Sequence, residues 1–476
     1  MDGNYGIRKG RRRRRLMDLV LAGGLLLSSG CGAAVARKTA VVEPPVTPVT
    51  WNAEMKEGLS TNQSGLDTLA KWWTVLDDPV LTRLIEKGID GNVDLRQAEA
   101  RVREARARRG GAQADRMPTL QFSPSASGSS RAESSNSLFA LGFDASWEAD
   151  LFGAKRKAAQ AADLTMQASI EDLRDILVSL VAEIALNYME VRTFQVRLDN
   201  ATDNVKFQEE TYDIARWRFE AGLTTQLDVE QARQNLEQTR ASIPSLRAGL
   251  EQAKNRIAVL IGQEPGTVGN ELGEGEIPVT PVELAVGIPA DTLRRRPDVR
   301  RAERQLAAQT AQVGAAKAER FPRLSLVGSI GLEALSIGNL LSTGARLLTA
   351  GLNIGQTAFD AGRIGNNIEV QNALQQQALL TYRSSVLTAL EDVEGALVDY
   401  AEEQARRRSL MQATEAAQRA AELASTQYQG GLIDFQAVLD SQRSLLSLED
   451  QLASSTGTIA SNLVRVYKAL GGGWDK

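Results

Sequence analysis

The sequence contains no histidine and a single cysteine among its 476 residues, and aromatic residues make up only 5% of it. Without histidine or a cysteine pair, the usual zinc sites and the nucleophile–histidine pairs of hydrolases cannot be assembled. A glycine-rich phosphate loop before a predicted helix is also missing, and IGQEPG at 261–266 is typical of a turn. The sequence therefore predicts neither an enzyme nor a bound cofactor or metal.

Long apolar runs are missing as well, apart from LVLAGGLLL at 19–27. This run follows a basic stretch and is too short to cross a membrane as a helix, which is typical of a secretory signal. The position of Cys31 resembles the lipobox of bacterial lipoproteins, whose cysteine is acylated, although Ser28 stands where the usual leucine would be. We expect 1–30 to be a lipoprotein-type signal; the alternative is an ordinary secretory signal beside an incidental free cysteine.

Clustered positive charge is scarce outside this signal. Residues 1–30 hold seven Lys and Arg but two Asp and Glu, so the formal net charge of −4 becomes about −9 without them. An acidic chain without a basic patch gives no electrostatic reason to bind nucleic acid. Next, VVEPPVTPVT at 41–50 is rich in proline, which predicts an extended, lipidated segment over 31–70.

The rest of the chain contains an internal sequence repeat. ADRMPTLQF at 114–122 and AERFPRLSL at 318–326 share an acidic residue, an arginine, an apolar residue and a proline at a spacing of 204 residues. Further along, AGLTTQLDVEQAR at 221–233 matches GGLIDFQAVLDSQ at 430–442 at a spacing of 209. Chance similarity between two helical segments would not give such an ordered series, so we predict two structural repeats.

These repeats set the expected domain organisation. The first repeat, 71–262, would contain a helix, a strand hairpin and two long helices. A linker over 263–292 would lead to the second repeat, 293–470, with the same elements in the same order. The hairpins are expected at 119–151 and 323–357, the long helices at 154–262 and 360–468, and a short tail at 471–476.

Heptad spacing predicts that the long helices form coiled coils. In the first repeat apolar residues recur every seven positions, and one helix from about 154 to 220 would be roughly 100 Å long. The second repeat begins similarly but becomes polar around EEQARRRS at 402–409. Elsewhere Gln, Arg, Glu and Ala dominate, which favours helices that bury only one narrow side. The heptad positions of the first repeat are Leu177, Ile184, Val191, Leu198, Val205, Tyr212 and Phe219.

Alternating residues predict strands with one apolar and one polar face. FALGFDASWEADL at 139–151 places Phe, Leu, Phe, Ala, Trp, Ala and Leu on one face. LSLVGSIGL at 324–332 and LTAGLNIG at 348–355 follow the same pattern, whereas TLQFSPSAS at 119–127 is interrupted by Pro124. Stretches of about ten alternating residues are typical of a transmembrane β-barrel, although the rim of a soluble β-sandwich would give a similar pattern.

The number of predicted strands has a consequence for assembly. A sheet in lipid has to close, because an open edge leaves backbone groups unsatisfied, and barrels begin at about eight strands. Two hairpins give only four strands per chain. If these strands enter a membrane, the sequence therefore predicts an oligomer whose chains share one barrel.

Several segments resemble the TolC-like outer membrane efflux proteins, specifically the NodT-type lipoproteins of tripartite pumps. KWWTVLDDPVLTRLIEKGIDGNVDLRQAEARV at 71–102 resembles the family's opening helices, and LRRRPDVRRAERQLAAQTAQVGAAKAERFPRLSL at 293–326 its mid-chain signature. DLFGAKR at 150–156 and AFDAGRIG at 358–365 are similar to its two strand-to-helix junctions, and LDSQRSLL at 439–446 to the start of its last long helix. The resemblance covers nearly all of the chain after the signal.

This resemblance implies a mainly α fold with a membrane β-barrel part. Three chains would share a twelve-stranded β-barrel in the outer membrane and a twelve-helix α-barrel in the periplasm, with a mixed equatorial region around the middle. Pro118 and Pro322 would end a helix where each repeat enters the sheet. The implied activity is passive conduction of small toxic compounds out of the cell. An inner-membrane transporter of the resistance-nodulation-division type would load these compounds into the assembly. A periplasmic adaptor would connect the transporter to this protein, and the homotrimer would be the exit duct.

The family also implies a gate at the periplasmic tip, where the helix pairs reverse. Glycine at Gly222 and at Gly430–Gly431 permits the positive φ of a helix C-cap. The alternative to a gate role for Asp440 is that of a solvated carboxylate near a helix N-terminus. The implied gate residues are Asp440 at an acidic ring, Gln436 at a constriction, Tyr428 at a tip tyrosine, and Asp434 with Arg443 as substitutes for a charged latch that is missing at Gln427.

The exposed tips are the implied contacts with the adaptor. The candidate adaptor contacts are Gly222, Leu223, Thr224, Gly431 and Leu432.

Other functions stay open at this point. A periplasmic adaptor lipoprotein would carry a single coiled-coil hairpin, which the internal repeat disfavours. A soluble periplasmic scaffold would keep its strands out of lipid, and a protein-secretion duct could share the fold.

Overall fold

Helices dominate the part of the chain that the structure, a computed structural model, describes. A small antiparallel sheet interrupts them twice. None of the described helices combines the length and the apolarity that crossing a membrane requires. The expected signal and Cys31 lie outside the described residues. The structure describes residues 48, 50–62, 66–131, 134–281 and 284–474.

The two halves use helices of equal length. In chain order the α-helices of the described residues are α1 (Leu66–Ala70), α2 (Pro79–Gly91), α3 (Val93–Ala114), α4 (Ala154–Glu220), α5 (Gln226–Leu260), α6 (Gly269–Leu272), α7 (Pro289–Arg295), α8 (Pro297–Ala318), α9 (Arg363–Gln429) and α10 (Phe435–Ala469). Helices α3 and α8 have 22 residues each, α4 and α9 have 67, and α5 and α10 have 35. The single helix expected from about 154 to 220 is confirmed.

Both long helices begin in the same way. Each follows a glycine in the left-handed region, Gly153 with φ 80° and Gly362 with φ 87°. A carboxylate then caps the free amides: Asp150 accepts from the backbone N of Arg156 at 2.7 Å, and Asp360 from that of Ile364 at 2.8 Å. An acidic residue and a glycine therefore fix where each helix leaves the sheet.

Proline marks the opposite boundary, where a helix leads into the sheet. Helix α3 ends at Ala114 and α8 at Ala318, four residues before Pro118 and Pro322 respectively. Strands begin directly after both prolines. Proline biases the preceding residue to extended backbone, so the repeated motif turns a helix into a strand in each half.

The strands form one antiparallel sheet and one short parallel pair. The first strand of the sheet is broken at Ser123 and Pro124, where the sequence pattern was weakest, so two short strands pair with one long partner. The strands are β1 (Leu59–Ser60), β2 (Thr119–Phe122), β3 (Ser125–Arg131), β4 (Ser134–Ala149), β5 (Leu284–Ala285), β6 (Arg323–Ala334) and β7 (Arg346–Gly355), with β1 and β5 forming the parallel pair. The order in the antiparallel sheet is β2–β4–β6–β7, with β3 also paired to β4.

The register aligns the apolar residues of neighbouring strands. Phe143 lies opposite both Phe122 and Ile330, and Ile330 lies opposite Leu348. The next residue along β4, Asp144, belongs to a polar row, in which Ser329 and Thr349 share a hydrogen bond of 2.5 Å. The sheet therefore has one apolar and one polar face, as the alternation predicts.

A compact core surrounds the middle of α4. We call it the belt: side chains from 51–91, 257–286 and 459–470 that pack against α4 around Tyr188. Trp72 stacks on Tyr467 with ring centroids 5.2 Å apart. The parallel pair of β1 and β5 ties the beginning of the described chain to the linker between the halves.

Closer to the tips, the residues of the heptad seam are less buried than in the belt. Ile184 and Val191 are fully buried, but Val205 and Tyr212 are only half-buried and Phe219 is exposed. In this half α4 packs between α5 and α10. The face turned toward both neighbours is therefore shifted from the heptad stripe, and its buried residues are small or polar: Ala201, Asn204, Gln208, Thr211 and Ala215.

One glycine sets the closest approach of α4 and α10. A Cβ added at Gly457 would collide with the Oγ1 atom of Thr193. The two helix backbones can approach this closely only because Gly457 has no side chain. This crossing lies just below the belt, where the apolar core gives way to the polar one.

Candidate functional site at the helix reversals

Both long helices end in the same hydrogen-bonded turn. Gly222 has φ 72°, and the N–H of Leu223 donates to the carbonyl of Arg218 at 2.8 Å. Gly431 has φ 74°, and the N–H of Leu432 donates to the carbonyl of Gln427 at 2.9 Å. These are Schellman turns, which require a left-handed residue and therefore favour glycine.

The preceding glycine of the second turn does not adopt the expected conformation. Gly430 has φ −73° and stays in the right-handed region, so the positive φ expected for Gly430–Gly431 is confined to Gly431. The turns leave Leu223 67% exposed and Leu432 78% exposed. Added Cβ atoms at Gly222 and Gly431 would meet open space, so both reversals end in small or apolar groups that face solvent.

The first reversal is closed by a capping box. Thr225 N donates to Asp228 Oδ2 at 3.1 Å, and Thr225 Oγ1 accepts from Asp228 N at 3.4 Å. Thr224 Oγ1 also donates to Asp228, so this candidate adaptor contact is half-buried and already bonded. Burial raises the pKa of Asp228, but the hydrogen bonds from Thr224 and Thr225 outweigh it and the net pKa is lowered.

The second reversal is capped less firmly. Asp434 occupies the N-cap position of α10, and its carboxylate makes no capping hydrogen bond to any described residue. The side chain is exposed. Because an N-cap bond stabilises a helix start by about 1 kcal/mol, the α9–α10 turn lacks a contribution that the α4–α5 turn has.

Tyr428 lies inside the tip rather than on its surface. It is 6% exposed, and its ring packs against Phe435 with centroids 5.0 Å apart. The guanidinium of Arg218 lies 4.6 Å above the same ring, and Nη1 donates to the carbonyls of Tyr428 and Gln429, each at 3.3 Å. Arg218 thus joins the end of α4 to the end of α9 through a cation–π contact and a helix C-terminus.

Sequence analysis missed Arg218. A basic residue in the last turn of a helix is a recognisable end signal, and Arg218 is the basic residue in the last turn of α4. That signal predicts a contact with its own helix. Here the guanidinium reaches the carbonyls of a different helix, 210 residues further along the chain, which no local pattern encodes.

The predicted ring residues share the exposed face of α10. Gln436 Nε2 donates to Asp440 Oδ1 at 2.9 Å, and the guanidinium of Arg443 lies 3.9 Å from the same carboxylate. Arg443 Nε also donates to Asn235 Oδ1 on α5 at 3.1 Å. Among the described residues Arg443 makes no ion pair with Asp434, so these two do not form a latch in this structure.

A polar layer lies directly beneath the tips. Gln442 Nε2 donates to Thr211 Oγ1 at 2.7 Å, which links α10 to α4. Gln208 is 2% exposed, yet neither its amide oxygen nor its amide nitrogen has a partner among the described residues. Unpaired buried amides cost about 1–3 kcal/mol each, so this half of the helical layer is packed less favourably than the belt.

The reversals are not suited to metal chemistry. In the described part of the chain, no group of three or more Cys, Asp or Glu side chains gathers closely enough to hold a metal ion. The sites consist of turns, a buried aromatic pair and a row of polar side chains.

Comparison with known proteins identifies the fold. The model of the outer membrane efflux protein family matches residues 84–263 and 288–472. Nodulation protein T of Rhizobium leguminosarum bv. trifolii is 32% identical, over 94% of this chain and 96% of the relative. The probable outer membrane lipoprotein SilC of Salmonella typhimurium is 30% identical, over 85% of this chain and 88% of that protein. The solved outer-membrane channel OprN superimposes with a TM-score of 0.84 and 36% identity, covering 90% of this chain and 98% of OprN.

These matches span both helical halves and the sheet between them. The predicted resemblance to TolC-like and NodT-type proteins is confirmed, as is the outer membrane location. The relatives are channel components rather than enzymes. The chain belongs to the outer membrane efflux protein family and serves as the outer membrane exit channel of an efflux pump.

Proposed function

We propose that three copies of this chain close one continuous pore, with a shared twelve-stranded barrel above a twelve-helix barrel. The observation that carries this proposal is the pair of open sheet edges. Strands β2 and β3 at one edge and β7 at the other have no partner on their outer side among the described residues. Open edges cannot stay unpaired in lipid, and four strands per chain are too few to close a barrel.

The layer of helices, like the sheet, has a side that no other element of the chain covers among the described residues. Helix α4 packs against α3 and α8 near the sheet and against α5 and α10 near the tips, whereas α9 packs mainly against α8 and α10, with small contacts to α7 and, through Tyr428, to Arg218 of α4. One flank of α9 therefore has no neighbour among the described residues, and it carries exposed apolar side chains. A flank of this kind favours a second copy. These side chains are Val370, Leu374, Leu380, Leu387 and Val398.

The equal helix lengths of the two halves support one role for each repeat. Each half would supply two strands to the β-barrel and two long helices to the α-barrel. A periplasmic adaptor with a single coiled-coil hairpin would not need two matched sets of helices. A protein-secretion duct on the same fold remains the second candidate, and the family description of efflux favours the export of small molecules.

The oligomer is tested on purified protein in detergent. Native mass spectrometry should give three chains per particle, and planar bilayers should show ion conductance. Gels should show an assembly that survives mild detergent and dissociates on heating. Particles that are monodisperse single chains and conduct no ions would overturn the proposed pore.

The N-terminus would add a lipid anchor to this pore. Cys31 follows a secretory signal, and the relative SilC carries the name of a probable outer membrane lipoprotein. Cleavage before Cys31 and its acylation would place the chain start in the inner leaflet of the outer membrane. At the start of the described chain, Trp51 Nε1 donates to the carbonyl of Gly287 in the belt at 3.0 Å.

The gate would lie at the reversals. We assign Asp440, Gln436 and Arg443 to rings around the pore axis, because they share one exposed face of α10 next to the tip. In a trimer three Asp440 carboxylates would approach one another and attract cations. Tyr428 and Arg218 would hold the α9–α10 tip against α4, in the role expected of the Asp434–Arg443 latch.

Replacing Asp440 with alanine tests the ring. The single-channel conductance should rise, because a charged group at the constriction and its hydrogen bond to Gln436 are both removed. The measurement is conductance in planar bilayers. Asp94→Ala is the matched control, since it removes an exposed carboxylate at the start of α3, away from the tips. Equal conductance of Asp440→Ala and wild type would remove Asp440 from the gate.

The tips would also be the contact with the rest of the pump. Leu223 and Leu432, with Gly222 and Gly431, form small apolar ends that a helical hairpin of an adaptor can cover. An inner-membrane transporter of the resistance-nodulation-division type would feed the assembly. Because an exit duct has no closed binding pocket, we assign the choice of substrate to that transporter.

A further inference from the structure

The arginine of the repeated motif has no role in the pore described above. Arg116 and Arg320 follow the last turns of α3 and α8, where each half passes from helix to sheet. Both side chains are exposed, and neither makes a hydrogen bond or an ion pair with a described residue. The prolines explain the change of backbone, but they do not explain an unpaired cation at the same position in both halves.

Around Arg116 the surface forms a notch of about 750 Å³. Trp147 Nε1 donates to the carbonyl of Arg116 at 2.9 Å, which fixes the indole against the end of α3. Met117 and Leu151 are exposed and line the same notch. The notch therefore combines one guanidinium, one indole held by a hydrogen bond and two apolar side chains.

Neighbouring carboxylates do not neutralise this arginine. Asp150 lines the notch, but its oxygens accept the backbone N–H groups of Lys155 and Arg156. Glu148 is 3.4 Å from the ammonium of Lys155. Asp115 is next in sequence but does not line the notch. Arg116 is thus the cation that remains available to an anion at this place.

The apolar face of the sheet continues from the notch. Trp147 lies opposite Leu326, and Leu326 lies opposite Leu352 on the next strand. In a barrel that spans lipid this face contacts acyl chains, so the notch would lie at the level of the headgroups. Tryptophan is enriched at that depth. A guanidinium forms paired hydrogen bonds with phosphate, which makes arginine suited to a phosphate that carries acyl chains.

We propose that this notch binds an anionic phospholipid of the periplasmic leaflet, with its phosphate on Arg116 and its acyl chains along Trp147 and Leu326. The inference depends on the proposed function, because it requires the sheet to enter the membrane. In a trimer there would be three such sites. The second half keeps the arginine, at Arg320, but its neighbour in sequence, Phe321, stacks on Phe152 with ring centroids 4.7 Å apart, so the proposed site is confined to the first half.

Native mass spectrometry of the full-length protein tests the site, with phosphatidylglycerol and phosphatidylcholine added in turn. Wild type should retain more phosphatidylglycerol, and Arg116→Gln should weaken its retention about fivefold per site. Arg116→Lys keeps the charge and should retain part of the preference. Arg106→Gln is the matched control, since it removes an exposed arginine from the same helix about 15 Å away.

The outcomes separate the lipid site from the pore. Equal retention of both lipids by wild type would overturn the site, and so would equal losses in Arg116→Gln and Arg106→Gln. Complete displacement of the lipid by inorganic phosphate would show that the notch takes a free anion rather than a lipid. The same spectra report the number of chains, so particles of single chains would count against the pore itself.

Discussion

Replacing Arg192 with leucine is expected to cost about 3–5 kcal/mol of stability, which is the usual effect of breaking a buried charged network. Arg192 is 4% exposed and lies on α4 inside the belt. Its guanidinium donates to the carbonyls of Leu272 and Gly273 at 3.0 and 3.1 Å and to the hydroxyl of Tyr188 at 2.8 Å. Leucine would remove the donors to these buried acceptors, of which the carbonyl of Gly273 keeps only Gln195 Nε2 at 2.7 Å.

The network extends beyond α4. The hydroxyl of Tyr188 donates to Asp78 at 2.5 Å, and Asp78 caps the first turn of α2 by accepting from Val80 N at 2.8 Å. Burial and the bond to Asp78 raise the pKa of Tyr188, so its phenol stays protonated and keeps donating. Arg192 therefore connects the start of α2, the middle of α4 and the end of α6 in a single set of hydrogen bonds.

The measurement is the urea midpoint of the detergent-solubilised protein. Arg256→Leu is the control, because its pair with Glu183 at 2.9 Å is exposed and such pairs contribute only about 0–1 kcal/mol. Tyr188→Phe should fall between the two, since it removes one hydroxyl but no charge. If Arg192→Leu were as stable as Arg256→Leu, the network would not hold the belt to α4.

A double change at the tips, Leu223→Asp with Leu432→Asp, is expected to abolish efflux. Burying one leucine in an interface contributes about 1.5–3 kcal/mol, so losing both would weaken the proposed adaptor contact roughly 10²–10⁴-fold. The fold should survive, because both side chains are exposed and the Schellman turns are made by backbone groups. New carboxylates would additionally be desolvated on binding, which adds to the loss.

The readouts are resistance of a host that depends on this channel and co-purification of the adaptor. Val93→Asp is the matched control, since it is equally exposed at 69% but lies at the start of α3, near the belt. Single-channel conductance should not change in the double variant. Full resistance with the double variant would place the adaptor contact elsewhere, and loss of conductance would indicate a damaged pore.

Much of the architecture could be predicted because local signals set it. The heptad spacing predicted helix α4, and proline and glycine predicted the ends of helices near Pro118, Gly222 and Gly431. The alternation in 139–151 gave the two faces of the sheet, since the side-chain period of a strand is fixed by its backbone. Each of these signals lies within one element or at its end.

The features that could not be predicted from the sequence depend on which helices become neighbours. The buried stripe of α4 near the tip contains Asn204 and Gln208 rather than the apolar heptad, because α4 has two neighbours there. Arg218 and Arg192 bond to carbonyls far away in sequence, and a carbonyl carries no sequence signature. Aligning Asp440 with an acidic ring remains a prediction for the same reason, since a ring exists only among several chains.

The contact of Gly457 with Thr193 makes the crossing of α4 and α10 the point about which α10 would tilt. Above it α10 is anchored in the belt; below it the helix packs on polar side chains and, at its start, on a small apolar cluster that contains Phe435, Val438 and Leu439. The arm below the crossing has 22 residues and is about 33 Å long, so a tilt of about 5° would carry its end sideways by about 3 Å. In the proposed pore, a small angular adjustment at this one glycine would therefore change the aperture by about the width of a water molecule.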